Sequence, residues 1–258
     1  MSLESTRYAK KIASAFNKGT LIAPLPIKFT KKSSEANKFR TECEKLITSP
    51  VIGFKAGGTG KPMLKKLGEI EPFCAAIFKK NLLKSNGSVK INKYTLGIEL
   101  EVFYQVKKSF FSNSKKITEK NVSSVVSHMG PCIEVVGYRQ KKKGLTYLGD
   151  LISDFGANVK FIIGKKQKFK KLKFNNLATS LYNKKSGQVA NGNTKIVYDS
   201  PLKSLIWLLN KIKKNKIDLN KDFLVFTGST VGVVPIQKTG LFKGEIKSLG
   251  SVKTKIKN

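Results

Sequence analysis

Gly97-Ile98-Glu99-Leu100-Glu101-Val102-Phe103 sets two acidic residues into an apolar run with a period of two. On a β-strand, Glu99 and Glu101 point to one face with Cα atoms roughly 7 Å apart, and Ile98, Leu100 and Val102 point to the other. A third carboxylate, Glu134, lies in an equally apolar strand candidate, Pro131-Cys132-Ile133-Glu134-Val135-Val136. Three carboxylates on strands that read as buried repel one another unless a cation or a basic side chain compensates them. A donor set of oxygen alone, with no His or Cys, suits Mg2+ or Mn2+. Two other readings of the pattern stay open. Glu99 and Glu101 can lie on a solvated face paired with lysines, or act as an acid and a base without metal, although nothing here resembles a glycosidase.

The period of two persists around this stretch. Strands are predicted at 88–93, 96–107, 132–139, 159–164, 195–198, 223–227, 232–237 and 242–257, the last broken. Helices are predicted at about 5–18, 33–48, 118–127 and 201–214. The last begins at Pro201, which suits a first turn, and collects lysines in its final turn, where the helix dipole favours them. Many strands with few helices give an α+β fold with a β-rich, mixed sheet rather than a doubly wound one. The expected organisation is a smaller helical region at 1–80, including the strand and loop around Lys55, followed by a β-rich metal-binding domain at 81–258. Gly57-Gly58-Thr59-Gly60-Lys61 hints at a phosphate loop, but no Gly stands five before Gly60, and Pro62 replaces the Ser/Thr.

The chain has 258 residues and a net charge of +34, from 50 Lys+Arg against 16 Asp+Glu. Such a surface attracts phosphate. Yet only Arg7, Arg40 and Arg139 are arginines, and base readout and bidentate clamps favour Arg. The lysines are spread along the whole chain, as a codon bias would spread them, so a nucleic-acid partner is not expected. Three scattered cysteines without a CxxC, and a single His128 placed in a predicted loop, argue against a disulfide framework, a zinc site and a Cys–His nucleophile. No apolar run approaches the roughly 18 residues of a membrane span, and the N-terminus has no signal-peptide core. A cytoplasmic protein is expected.

Beyond these patterns, the residues resemble the fumarylacetoacetate hydrolase superfamily, in its 2-keto-4-pentenoate hydratase and 4-oxalocrotonate decarboxylase branch. The resemblance runs nearly end to end. Gly53-Phe54-Lys55-Ala56-Gly57-Gly58-Thr59 looks like the branch's G-x-K-x-G-x-T segment, and Glu99-Leu100-Glu101 like its E-x-E. Glu134-Val135-Val136-Gly137-Tyr138-Arg139 looks like E-[IV]-V-x-x-R, and Thr227-Gly228 like the late T-G turn. Asp154 matches an Asp of the branch's D-N-A-S stretch. The resemblance implies a β-rich roll or sandwich and a single Mg2+ or Mn2+ held by Glu99, Glu101 and Glu134. It further implies Lys55 as the catalytic lysine, with a pKa lowered by burial and the cation. Arg139, Asp154, Thr227 and Gly228 would bind a small anionic 2-oxo acid substrate, with Arg139 alternatively pairing with Glu134. A homo-oligomer is also implied.

Two departures stand out. Lys80 occupies a position where the branch usually has an acid, and Ala157 stands where it has Ser. The expected activity is hydration of a 2-hydroxy-2,4-dienoate. The alternatives are decarboxylation or hydrolysis on the same site, or a non-catalytic basic binding protein on this scaffold.

Overall fold

The computed structural model describes residues 2–258. Two helices open the chain: α1 (Leu3–Lys18) and α2 (Ser33–Lys45). Ser2 caps α1 at its start, and Gly19, in left-handed conformation, ends it. Then follow β1 (Val51–Gly57), α3 (Lys61–Lys66), β2 (Phe73–Phe78), β3 (Leu82–Lys84), β4 (Ser88–Lys90) and β5 (Thr95–Val106). The short α4 (Ser109–Ser112) and α5 (Val122–Val125) lead into β6 (Val126–Gly137), α6 (Leu148–Ile152), β7 (Asn158–Ile163) and β8 (Gln167–Lys168). The chain closes with β9 (Ala178–Asn183), β10 (Val189–Asn193), α7 (Pro201–Lys214), β11 (Phe223–Ser229), β12 (Gly240–Ile246) and β13 (Gly250–Lys257).

Two mixed sheets result. The larger runs β2-β1-β11-β5-β6-β7-β3, with β8 paired to β6; the smaller runs β10-β9-β12-β13-β4. The smaller sheet covers one face of β5 and β6. There, Leu100 and Ile133 pack so tightly beneath Gly244 that a Cβ would meet Leu100 Cδ1 at 2.5 Å. Ile98, Leu100, Val102 and Tyr104 belong to this core. The opposite face buries a second cluster, containing Ile77, Phe103, Cys132, Phe161 and Phe226. Both faces of β5 are therefore covered along most of its length, and with Glu101 buried and Glu99 partly so, the acidic pair is not a solvated strand face.

The α+β, β-rich reading holds, and helices 3–18, 33–45 and 201–214 follow the expected ranges. Several elements differ. Residues 118–127 contain only the turn of α5, because the β-branched Val126 already pairs with Val106. His128 therefore stands on β6, opposite Gln105, and not in a loop. Residues 194–196 form a 3-10 turn rather than a strand. At 232–237 a single bridge joins Val234 to Ile98. β2, β9 and β10 were not expected. β2 is apolar throughout and buried at every position, so it shows no alternation. The division at residue 80 has no counterpart in the sheet: β1 and β2 continue it through the parallel pairing of Gly53–Lys55 with Leu224–Phe226.

Candidate active site

β5 and β6 pair so that Glu99 stands directly opposite Glu134. Glu101 is two residues along on the same face, and the three carboxylates bring one oxygen each to within 4.8 Å of one another. Glu101 and Glu134 are 0% exposed, while Glu99 reaches the wall of a cavity of about 790 Å³. Lys55 comes from β1, 4% exposed. Its Nζ donates to both oxygens of Glu134, at 2.5 and 2.7 Å, and to the Gly156 carbonyl at 3.3 Å. Glu101 Oε2 accepts the Gly228 N–H at 2.9 Å. A side chain at 228 is impossible in this arrangement: φ is +102°, and a Cβ would lie 2.0 Å from Thr59 Oγ1. Four residues expected at the site, Lys55, Glu99, Glu101 and Glu134, are thus brought together, with Gly228 beside them.

One ammonium faces three carboxylates, two buried and Glu99 half-buried, and the titration behaviour follows. Burial, then the charge of Glu134, pushes Glu99 up to about 7, with Lys55 opposing. Burial likewise raises Glu101 and Glu134, against the pull of Lys55. For Lys55, burial pulls the ammonium down, but Glu134, Glu99 and Glu101 together outweigh it, and its pKa is raised. Glu101 Oε1 is buried with no hydrogen-bond donor. A buried, unpartnered carboxylate oxygen within an acid-rich cluster is what a divalent cation relieves, and the all-oxygen donor set fits Mg2+ or Mn2+.

The other expected substrate ligands lie elsewhere. Thr227 is fully buried, and its hydroxyl donates to the Val102 carbonyl at 2.8 Å. Arg139 and Asp154 are absorbed by each other: a guanidinium nitrogen and the backbone N–H of Arg139 both donate to the Asp154 carboxylate, at 3.0 and 2.8 Å. Arg139 is stacked 4.4 Å from the Phe16 ring centroid and pairs with Asp154 rather than Glu134. None of the three lines the cavity. Lys80 does not face the site either. Its ammonium donates to the Phe16 and Asn17 carbonyls, at 2.8 and 2.6 Å, in the last turn of α1. What the sequence reading missed is the cavity's upper wall, including Leu96, Leu145, Lys195, Val233 and the Gly156 turn. The one available signal was the left-handed demand of Gly156 inside the Asp154–Asn158 stretch.

No protein-family profile matches the chain. It is 20% identical to the 2-keto-4-pentenoate hydratase of Paraburkholderia xenovorans (strain LB400), over 97% of this chain and 94% of that protein. The 2-keto-4-pentenoate hydratase 3 of Pseudomonas putida matches to the same extent. Among solved structures, the 4-oxalocrotonate decarboxylase of Pseudomonas putida G7, complexed with magnesium and adipate, superposes with a TM-score of 0.82. It is 18% identical, over 98% of this chain and 97% of that one. The fumarylpyruvate hydrolase of Pseudomonas aeruginosa, in complex with Mn2+ and pyruvate, gives 0.60 at 14% identity, over 81% and 90%. The fold is that of the fumarylacetoacetate hydrolase superfamily. The resemblance to its 2-keto-4-pentenoate hydratase and 4-oxalocrotonate decarboxylase branch extends over nearly the whole chain.

Proposed function

We propose that this protein is a divalent-metal-dependent lyase acting on a small 2-oxo acid, and that its reaction is hydration of a 2-hydroxy-2,4-dienoate. The observation that carries the reading is the Glu99–Glu101–Glu134 cluster, buried except where Glu99 meets a cavity that a small acid can enter, with an unpartnered Glu101 oxygen. The relatives and the superposed decarboxylase add support through their names. Glu99, Glu101 and Glu134 would hold Mg2+ or Mn2+. When bound, the cation would supply Lewis-acid polarisation of a 2-oxo or enol oxygen.

The chain's own residues define the rest. The Gly228 N–H and the Lys55 ammonium fix the orientation of Glu101 and Glu134, respectively. Lys55 Nζ, which donates to Glu134, would enter the reaction as a proton donor and take the proton back afterwards. The wall formed by Met63, Leu96, Val136 and Val233 keeps the conjugated chain of the substrate away from water along its length. A homo-oligomer is part of the proposal. Among the described residues, no helix is long and apolar enough to cross a membrane.

The test is loss of dienoate absorbance by purified protein, stripped of metal and then supplied with Mg2+ or Mn2+, alongside Glu101→Ala. Turnover that needs the cation and disappears in the variant is expected. Turnover that survives chelation, or is unchanged in the variant, refutes the reading. Release of CO2 from 4-oxalocrotonate without hydration of the dienoate would replace the hydratase by a decarboxylase on the same site.

A further inference from the structure

Phe155, Gly156 and Ala157 all have positive φ, at 54°, 74° and 54°. For Gly156 this costs nothing, but left-handed backbone is unfavourable for the other two, and for a bulky Phe it is a genuine outlier. Strain of this kind persists only where its surroundings over-determine it. Here they do. The Asp154 carbonyl accepts the Ala157 N–H at 2.7 Å and an Arg139 guanidinium N–H at 3.3 Å. The Phe155 carbonyl accepts from the Asn158 side chain, and the Asn158 carbonyl from Arg139. The Asn158 side-chain oxygen is held in turn by Asn81, at 3.1 Å. The Asp154 carboxylate is fastened by the Arg139 N–H, the Arg139 guanidinium and the Gln140 amide. The Phe155 ring lies against the Arg139 guanidinium, 5.3 Å from centroid to carbon.

The carbonyls of Asp154, Phe155 and Asn158 are thus gripped by the scaffold. That of Gly156 is turned inward, onto Lys55 Nζ. The same residue passes so close to the lysine stem that a Cβ there would lie 3.2 Å from Lys55 Cδ. An ordinary right-handed or extended turn would aim this carbonyl elsewhere.

We infer that the left-handed Phe155–Ala157 turn is a device for placing Lys55, and that Arg139 and Asp154 are positioning residues that act through it. They do not contact substrate. The turn supplies Lys55 with an acceptor other than Glu134 and walls its stem. The ammonium therefore keeps one location whether or not Glu134 turns towards a cation. This rests on the reading of Lys55 as the proton donor of the proposed reaction.

Two variants test it, with Lys55→Met as a control. Asp154→Asn keeps the shape of the side chain but weakens the grip of Arg139, and Gly156→Ala presses a methyl against the lysine stem. Misplacing a catalytic group by about 1 Å can cost up to a hundredfold in rate, and a partial displacement here is expected to lower kcat by about tenfold or more. The calorimetric Kd for Mg2+ should stay within about twofold in both variants, and KM within about twofold in Asp154→Asn, whose side chain does not line the cavity. Crystal structures of both variants should show Lys55 Nζ beyond hydrogen-bond reach of the Gly156 carbonyl. If Asp154→Asn does not fold, Gly156→Ala decides, because its neighbours need give only a few tenths of an ångström and an Ala at φ +74° adds only about 1–2 kcal/mol of strain.

A folded variant with Lys55 in its original place and undiminished kcat overturns the inference. So does a loss that appears in KM or metal affinity while kcat is kept. Wild-type protein without dienoate turnover, or a Lys55→Met variant as active as wild type, counts against the proposed function instead. The position of Lys55 in the variant structures then still decides the role of the turn.

Discussion

Replacing Glu101 by Gln should make the metal-free protein more stable while removing its response to metal. If all four groups at the site ionise, three carboxylates stand against one ammonium, a net charge of −2 at the edge of the interior. Two carboxylates within about 4.8 Å repel by about 3.5 kcal/mol at an effective dielectric near 20. A protein escapes part of this by protonation, which is what the elevated carboxyl groups reflect. The cost of ionising Glu99 near pH 8, for a group raised from 4.5 to about 7, is of similar size, about 3 kcal/mol. The sign follows from linkage. A carboxyl raised in the folded state contributes stability that is present below its unfolded value, near 4.5, and is lost as pH rises through about 7. At pH 8, the Glu101→Gln substitution removes one charge from the cluster, keeps an oxygen for the Gly228 N–H and offers an amide to Glu134. A gain of about 1–3 kcal/mol is expected, and at about 2 °C per kcal/mol for a chain this long, Tm should rise by about 2–6 °C. Scanning calorimetry in chelator, repeated with excess Mg2+, measures both halves. Wild type should gain about 2.7 kcal/mol, or about 5 °C, at a metal concentration a hundred times Kd, and the variant should gain nothing. A lower Tm for Glu101→Gln in chelator, or an equal Mg2+ shift in both proteins, would refute the charge-frustration argument.

Metal affinity should depend on pH, because a proton on Glu99 competes with the cation. With that carboxyl at about 7, Kd for Mg2+ by titration calorimetry should tighten about tenfold between pH 6 and pH 8, and a flat profile would contradict the assignment. Gly228→Ala adds a methyl 2.0 Å from Thr59 Oγ1 at a φ that disfavours it. A loss of about 2 kcal/mol or more, read as a Tm about 4 °C lower, is expected, together with weakened metal binding through Glu101. Lys80→Met removes the ammonium that closes the last turn of α1. It should cost about 1 kcal/mol, a drop in Tm of about 2 °C, with turnover unchanged; a large loss of turnover would put Lys80 in the site after all.

The acidic cluster was legible because its chemistry runs against its surroundings. Glu99, Glu101 and Glu134 are acids in strands where every neighbour argues for burial, and a period of two places the first pair on one face whatever the fold. Helix α7 was legible from Pro201 at its start and lysines at its end. Elements without such contrast were not. β2 is uniformly apolar, so no periodicity distinguishes strand from buried helix. β10, Val-Ala-Asn-Gly-Asn, reads as turn residues, and becomes a strand only because β9 pairs along it. Arg139 was misplaced for a related reason: a long basic side chain can reach several partners, and its sequence position does not choose among them.

The sequence by itself determined that two carboxylates are held in phase on one strand, that a third stands in another apolar strand, and that a lysine lies close to a glycine-rich turn. Phase along one strand is a local property of the backbone. Only the tertiary structure decided that Glu99 faces Glu134 across β5 and β6, that Lys55 arrives from β1, and that Arg139 serves Asp154 rather than a ligand. These depend on pairings between segments far apart in the chain, such as β1 with β11. No local preference encodes such contacts, because they form only when burying both faces of the sheet offsets the entropy of bringing the segments together.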